Sequence, residues 1–185
     1  MKTILVPLTL SSDSFPALAI AGNLARQRNA KLVLLHAVQL NIAGEERGIQ
    51  RARLLDELGR DAEARLRELA GGLDGQAAAE ILVCEGRPAD AIVETARRLR
   101  ADAIVMRMHG RRRWFHWLHR HTALKVARQA PCRTWLVAPG KNAGQFNLTV
   151  VDPRVAGTNA GMLRSDRPDA DHSRGAGAKV LAGAS

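Results

Sequence analysis

The chain has 185 residues, 46% of them hydrophobic and 25% charged, a balance that excludes wholesale disorder and fits one domain of about 100–200 residues plus a tail. No apolar run approaches the ~18 residues of a membrane-spanning helix, so stable membrane insertion is not expected. The net charge of +10 comes from 28 Lys and Arg against 18 Asp and Glu, and it is not spread evenly enough to make the whole surface a polyanion binder.

In chain order, Thr3–Leu8 is apolar on both faces, the pattern of a strand buried on two sides. Ser11-Ser12-Asp13 supplies helix-capping chemistry, with Ser14 in the same role. Ala17, Leu18, Ile20, Ala21, Leu24 and Ala25 then recur at helical spacing up to Arg28. Lys31–Val38 reads as a second buried strand. A helix is predicted from about Arg47 to Leu69, with Leu54, Leu55, Leu58, Ala62, Leu66 and Leu69 as one apolar stripe. Its i,i+4 pairs Asp56–Arg60 and Glu63–Arg67 would add a few tenths of a kcal/mol at most. Gly71-Gly72 closes it.

Ala79–Cys84 is a third strand, and Pro88 suits the first turn of the helix marked by Ala91, Ile92, Ala96 and Leu99. Ala103–Met106 is a fourth strand. A helix follows by about His121–Gln129, and Arg133–Ala138 is a fifth strand. Strands alternating with amphipathic helices predict an α/β fold: a five-stranded, parallel, doubly wound, Rossmann-like sheet over residues 1–140. Residues 141–185 are rich in Gly, Ala and polar residues and are expected to form a mostly disordered tail. Within them Phe146–Val151 has the apolar content for a short edge strand or a docking segment. Sheets of this kind bind ligands at the carboxyl ends of the strands, where strand order reverses. That selects Pro7, Leu8 and Thr9, Ala37 at the end of strand two, and Met106, Arg107, His109 and Gly110 as candidates for one crevice. With no secretory signal visible at the N-terminus, Cys84 and Cys132 are expected as reduced, structural thiols of a cytoplasmic protein, although Arg133 beside Cys132 could lower its pKa.

Five segments together resemble the universal stress protein family over roughly residues 1–139. They are Ile4-Leu5-Val6-Pro7, Leu34-Leu35-His36-Ala37-Val38, Glu85–Ile92, Asp102–Met106 with His109-Gly110, and Ala130-Pro131-Cys132. The resemblance implies a stress-response binding module, a homodimer paired through the last strand (Thr134, Trp135, Leu136, Val137), and in many members an ATP site. The family's phosphate loop reads Gly-x-x-Gly, nine residues, then Gly-Ser or Gly-Thr. Laid on this chain, its positions fall on Arg107, Gly110, Arg120 and His121, with Thr122 one residue late. The family's acidic residue near the adenosine falls on Thr9.

Glycines in such a loop allow positive φ and let backbone N–H groups approach phosphate. Arg at either position brings a Cβ and a long side chain into that space, so ATP binding through the backbone is expected to be weak or lost. Arg and His nevertheless favour anions, so a site held by side chains is the alternative.

Arg107–Arg133 holds eight Lys and Arg, no Asp or Glu and four of the six His, which leaves 20 basic against 18 acidic residues elsewhere. Its centre is Arg111-Arg112-Arg113-Trp114-Phe115-His116-Trp117-Leu118-His119. Three readings stand side by side. Trp114, Trp117 and Leu118 pack on the body beneath a solvated charged face; or Arg and Trp contact nucleic acid or polyphosphate; or the segment meets an acidic protein partner or acidic lipid. The histidines lack neighbouring carboxylates and sit among arginines, so no metal is expected. No nucleophile–base pair or catalytic motif is visible, and binding rather than catalysis is expected.

Overall fold

The computed structural model describes residues 2–40, 48–73, 79–108, 117–140 and 145–153, with only the backbone described at Ser12 and over 117–121. Its elements in order are β1 (Lys2–Pro7), α1 (Phe15–Arg28), β2 (Ala30–Val38), α2 (Ile49–Gly71), β3 (Glu80–Glu85), α3 (Pro88–Arg98), β4 (Ala103–Arg107), α4 (Trp117–Gln129), β5 (Arg133–Pro139) and β6 (Phe146–Val151). The sheet order is β3-β2-β1-β4-β5-β6. The first five strands run parallel, and β6 pairs antiparallel with β5.

Strand pleating sorts the core into two layers. Leu5, Val33, Leu35, Ile104, Met106 and Leu136 face one side, against Ile92 and Ala96 of α3 and Ala123 and Val126 of α4. Ile4, Val6, Leu32, Leu34, Val105 and Val137 face the other, against Leu18 and Ala21 of α1 and Leu66 of α2. A strand covered on both faces needs apolar residues at successive positions, hence the unbroken runs in the sequence. Helix ends follow local chemistry. Pro88 opens α3 at a position where its missing N–H costs nothing. Asn29 closes α1 in the left-handed conformation, at φ 47°, which Asn tolerates well.

The sheet has six strands, the five expected and the edge strand for which Phe146–Val151 has the apolar content, so it continues past residue 140. Consequently Thr134–Val137 is not an edge, because β6 lies along it. The apolar stripe of α2 is also narrower than its sequence implies. Ala62 and Leu66 are buried while Leu54 is exposed. On that helix the Glu63–Arg67 ion pair forms at 2.6 Å. Among the described residues Arg65 pairs with Glu68, and Asp56 and Arg60 do not pair. The backbone also closes across a long interval: Asp102 N–H donates to the Thr3 carbonyl at 2.9 Å, and Thr3 N–H donates to Asp102 Oδ2 at 2.7 Å.

Candidate functional site

The chain leaves β1 to form β2 and β3 on one side, then returns through α3 to place β4 on the other. The loops after β1 and β4 therefore part in opposite directions, and a crevice opens between them at the carboxyl ends. It has a volume of about 180 Å³. Pro7, Leu8 and Thr9 form one wall, Leu35, His36 and Ala37 a second, and Met106 and Arg107 a third. Ser14, Pro88, Ile92 and Thr122 reach it from the helices.

Seven of the residues selected from sequence thus meet in one place: Pro7, Leu8, Thr9, Ala37, Met106, Arg107 and Thr122. His109, Gly110, Arg111, Arg112, Arg113 and Trp114 lie outside the described residues. Trp117, Arg120 and His121 belong to the first turns of α4, where only the backbone is described. The readings of the basic aromatic segment therefore rest on sequence. Sequence reasoning passed over Ser14, Leu35, Pro88 and Ile92 as site residues. Pro88 carried a usable signal, since the residue opening a helix after a strand faces the carboxyl end of the sheet.

Ser14 is nearly fully buried, and it departs from its expected role. Although it stands at the start of α1, its side chain makes no capping bond. Ser14 Oγ donates instead to the Thr9 carbonyl at 2.8 Å. Thr9 Oγ1 lies 2.8 Å from Ser14 Oγ and 3.0 Å from Ser11 Oγ. A hydroxyl has a single proton, and that of Ser14 is committed to the carbonyl. Thr9 must therefore donate to Ser14, and Ser11 must donate to Thr9. This relay fixes the Thr9 hydroxyl with its proton turned away, leaving remaining lone-pair capacity to accept from a ligand.

His36 is oriented in the same way. Its Nδ1 lies 2.9 Å from the Leu8 carbonyl, and a carbonyl only accepts, so Nδ1 carries the proton. That bond fixes the orientation of the ring and leaves Nε2 outside it. Leu8 N–H donates back across the strands to the Leu35 carbonyl at 2.8 Å, locking the two walls together.

Arg107 is the formally charged residue among the described residues that line the crevice, and none of them is a carboxylate. It is the last residue of β4, paired with Val137. Its Nε is buried and has no hydrogen-bond partner among the described residues. A buried guanidinium N–H without an acceptor is costly, by about 1–3 kcal/mol or more for a charged group. A glycine position in a phosphate loop can require a positive φ, which would strain Arg107. Arg107 is not so strained: among the described non-glycine residues only Asn29 and Arg100 have positive φ. The bulk of the guanidinium, not backbone strain, is what changes this position.

The cysteines take no part in the crevice. Burial raises the Cys84 thiol above its usual value. Burial, followed by repulsion from the Asp102 carboxylate, pushes Cys132 up to about 11, so Arg133 does not activate it. Alkylation of Cys132 should be slow near neutral pH and still accelerating above pH 10. A plateau near the free-thiol value of about 8.5 would contradict this assignment. By linkage the unfolded chain gives up this proton first, so stability should decline as pH climbs from about 8.5 toward 11. Among the described residues no cluster of His, Cys, Asp or Glu could hold a metal ion, and no helix is long and apolar enough to cross a membrane.

An open α/β sheet with helices on both faces and a crevice at its switch point places the chain in the doubly wound class. The model of the universal stress protein family matches residues 1–138, and the chain belongs to that family. Solved structures share the fold. The universal stress protein UspA from Lactobacillus plantarum is 22% identical with a TM-score of 0.61, the match covering 75% of this chain and 97% of that one. A universal stress protein in complex with cAMP is 23% identical with a TM-score of 0.52, covering 74% and 96%. No curated protein matches the chain in sequence.

Proposed function

We propose that this chain is a binding module of the stress response whose crevice takes a nucleotide-class anion through the Arg107 side chain, without chemical turnover. The observation that carries this reading is the buried Nε of Arg107, which has no hydrogen-bond partner among the described residues, in a crevice whose described lining holds no carboxylate. An anionic oxygen there would satisfy the donor and neutralise the charge. The size of the crevice points toward a small ligand. At about 180 Å³ it falls below the ~300–1,000 Å³ typical of whole-ligand pockets. It suits a ring with one phosphate better than an extended triphosphate. The relative solved with cAMP holds a ligand of that kind.

Among the described lining residues His36 is tied to Leu8 and no second histidine or carboxylate stands beside it, which is the ground for reading the crevice as a binding site. The module would act in the cytoplasm as a homodimer. Because β6 lies along Thr134–Val137, pairing between copies either runs through Phe146–Val151 or displaces that strand.

Calorimetric titration with AMP, ATP and polyphosphate at two salt concentrations tests the reading. AMP should bind more tightly than ATP, and Arg107→Gln should weaken AMP about tenfold, the loss of one charge-assisted contact. Equal AMP affinity in the variant would sink the proposal. Polyphosphate binding that falls steeply with salt and ignores Arg107 would favour the basic aromatic segment as the functional surface instead.

A further inference from the structure

A larger cavity opens at the opposite end of the sheet, beside the amino ends of β1, β4 and β5. Its volume is about 650 Å³, well inside the range of small-molecule sites. The inner walls are apolar, formed by Ile4, Leu24, Ala96, Pro131 and Trp135. Around them stand five cationic side chains, Lys2, Arg28, Arg97, Arg100 and Arg133, against two carboxylates, Asp102 and Asp152, a formal excess of three positive charges.

The pairing of these groups shows where the excess lies. Arg133 Nε is held by Asp152 at 2.8 Å. Asp102 spends one carboxylate oxygen on the Thr3 N–H. Arg97 donates to the Gln129 carbonyl at 3.3 Å. Lys2, Arg28 and Arg100 have no counter-ion among the described residues. Arg100 also stands at φ 49°, a left-handed conformation that costs a non-glycine residue about 1 kcal/mol or more. Three exposed cations without a counter-ion among the described residues thus border one apolar hollow, and their combined charge would draw an anion to its rim.

We propose that this cavity is a second binding site, for a small organic anion that places a phosphate or carboxylate among Lys2, Arg28 and Arg100 and an apolar body against Leu24 and Trp135. The site is independent of the crevice at the other end of the sheet. Guanidinium groups grip either anion in bidentate fashion, while the walls reward burial of a hydrocarbon or aromatic body.

Cys132 lines the same cavity and is half-buried, which makes it a local reporter. The full chain is titrated with phenyl phosphate, benzoate and neutral benzyl alcohol while modification of Cys132 by a neutral maleimide is followed. Cys84, in β3, is the internal control. The expected result is several-fold protection of Cys132 by one or both anions, none by benzyl alcohol, and an unchanged rate at Cys84. Protection by only one of the two anions identifies the head group. Arg28→Gln combined with Arg100→Asn should weaken calorimetric binding at least tenfold, and Asn suits the left-handed position. Lys2→Gln, an exposed change, should weaken it several-fold in a chain whose fold is undisturbed. No protection, equal protection by benzyl alcohol, or binding lost in Arg107→Gln but retained in the Arg28/Arg100 variant would overturn the assignment. Failure of nucleotide binding at Arg107 would leave these readouts unmoved.

Discussion

Ending the chain at Pro139 is expected to lower its melting temperature by about 10 °C and to make it self-associate. β6 pairs with six consecutive residues of β5, from Thr134 to Pro139. Leu148 packs on one core layer and Val151 on the other, so a single strand seals both faces of the sheet at this end. Full burial of a Val or Leu contributes about 1.5–3 kcal/mol. Two partly buried side chains and their ladder then amount to roughly 2–4 kcal/mol, and at ~2–4 °C per kcal/mol the expected shift follows. Removal also uncovers a seven-residue edge carrying Trp135, Leu136 and Val137, and open strand edges recruit other strands. Calorimetry and light scattering over a concentration series test both effects. Leu148→Asp in the full chain provides the same test without truncation, by forcing a charge onto the core surface. A shortened chain that keeps its melting temperature and stays monodisperse would show that β6 is dispensable.

Restoring the family's glycine pattern is expected to raise ATP affinity roughly 30- to 100-fold. Arg107→Gly, Arg120→Gly and His121→Ser together remove the bulky groups and return the backbone to reach of the phosphates. Two recovered hydrogen bonds to a charged group contribute about 1.5 kcal/mol each at the low end, and ~1.4 kcal/mol is tenfold. The added glycine entropy offsets part of this. The same variant should lose affinity for AMP, because the Arg107 contact disappears. This opposite movement of the two ligands separates a backbone cradle from a side-chain site. If ATP affinity does not rise, the crevice has been reshaped beyond those three positions.

Most of the sheet could be read from the chain because buried parallel strands require runs such as Lys31–Val38, in which little but apolar residues will serve. Phe146–Val151 was harder. Its Phe-Asn-Leu-Thr alternation is the period-two pattern of a half-covered antiparallel strand, yet it stands among Gly, Asn and Gln, where local composition argues for a tail. The exposure of Leu54 was not readable either, since helical periodicity places a residue on a stripe without saying how far the neighbouring layer extends. In the site, Arg107 and Thr9 stood out because they fall on positions where the family has other residues. The relay through Ser11, Thr9 and Ser14 did not. Serines before a helix point to capping, and only the tight turn after β1 redirects Ser14 to the Thr9 carbonyl. Whether Arg107 was strained also depended on a dihedral angle that no residue pattern specifies.

The reciprocal contact between Thr3 and Asp102 has a consequence for biosynthesis. β1 can pair with β2 as soon as both have emerged from the ribosome, but its other edge waits for β4, about 65 residues after the end of β2. At ~5–20 residues per second that interval is roughly 3–13 s. During this time a strand that is buried at its centre in the finished fold stands half covered. The period in which a chaperone would matter most for this protein ends when the Asp102 region arrives.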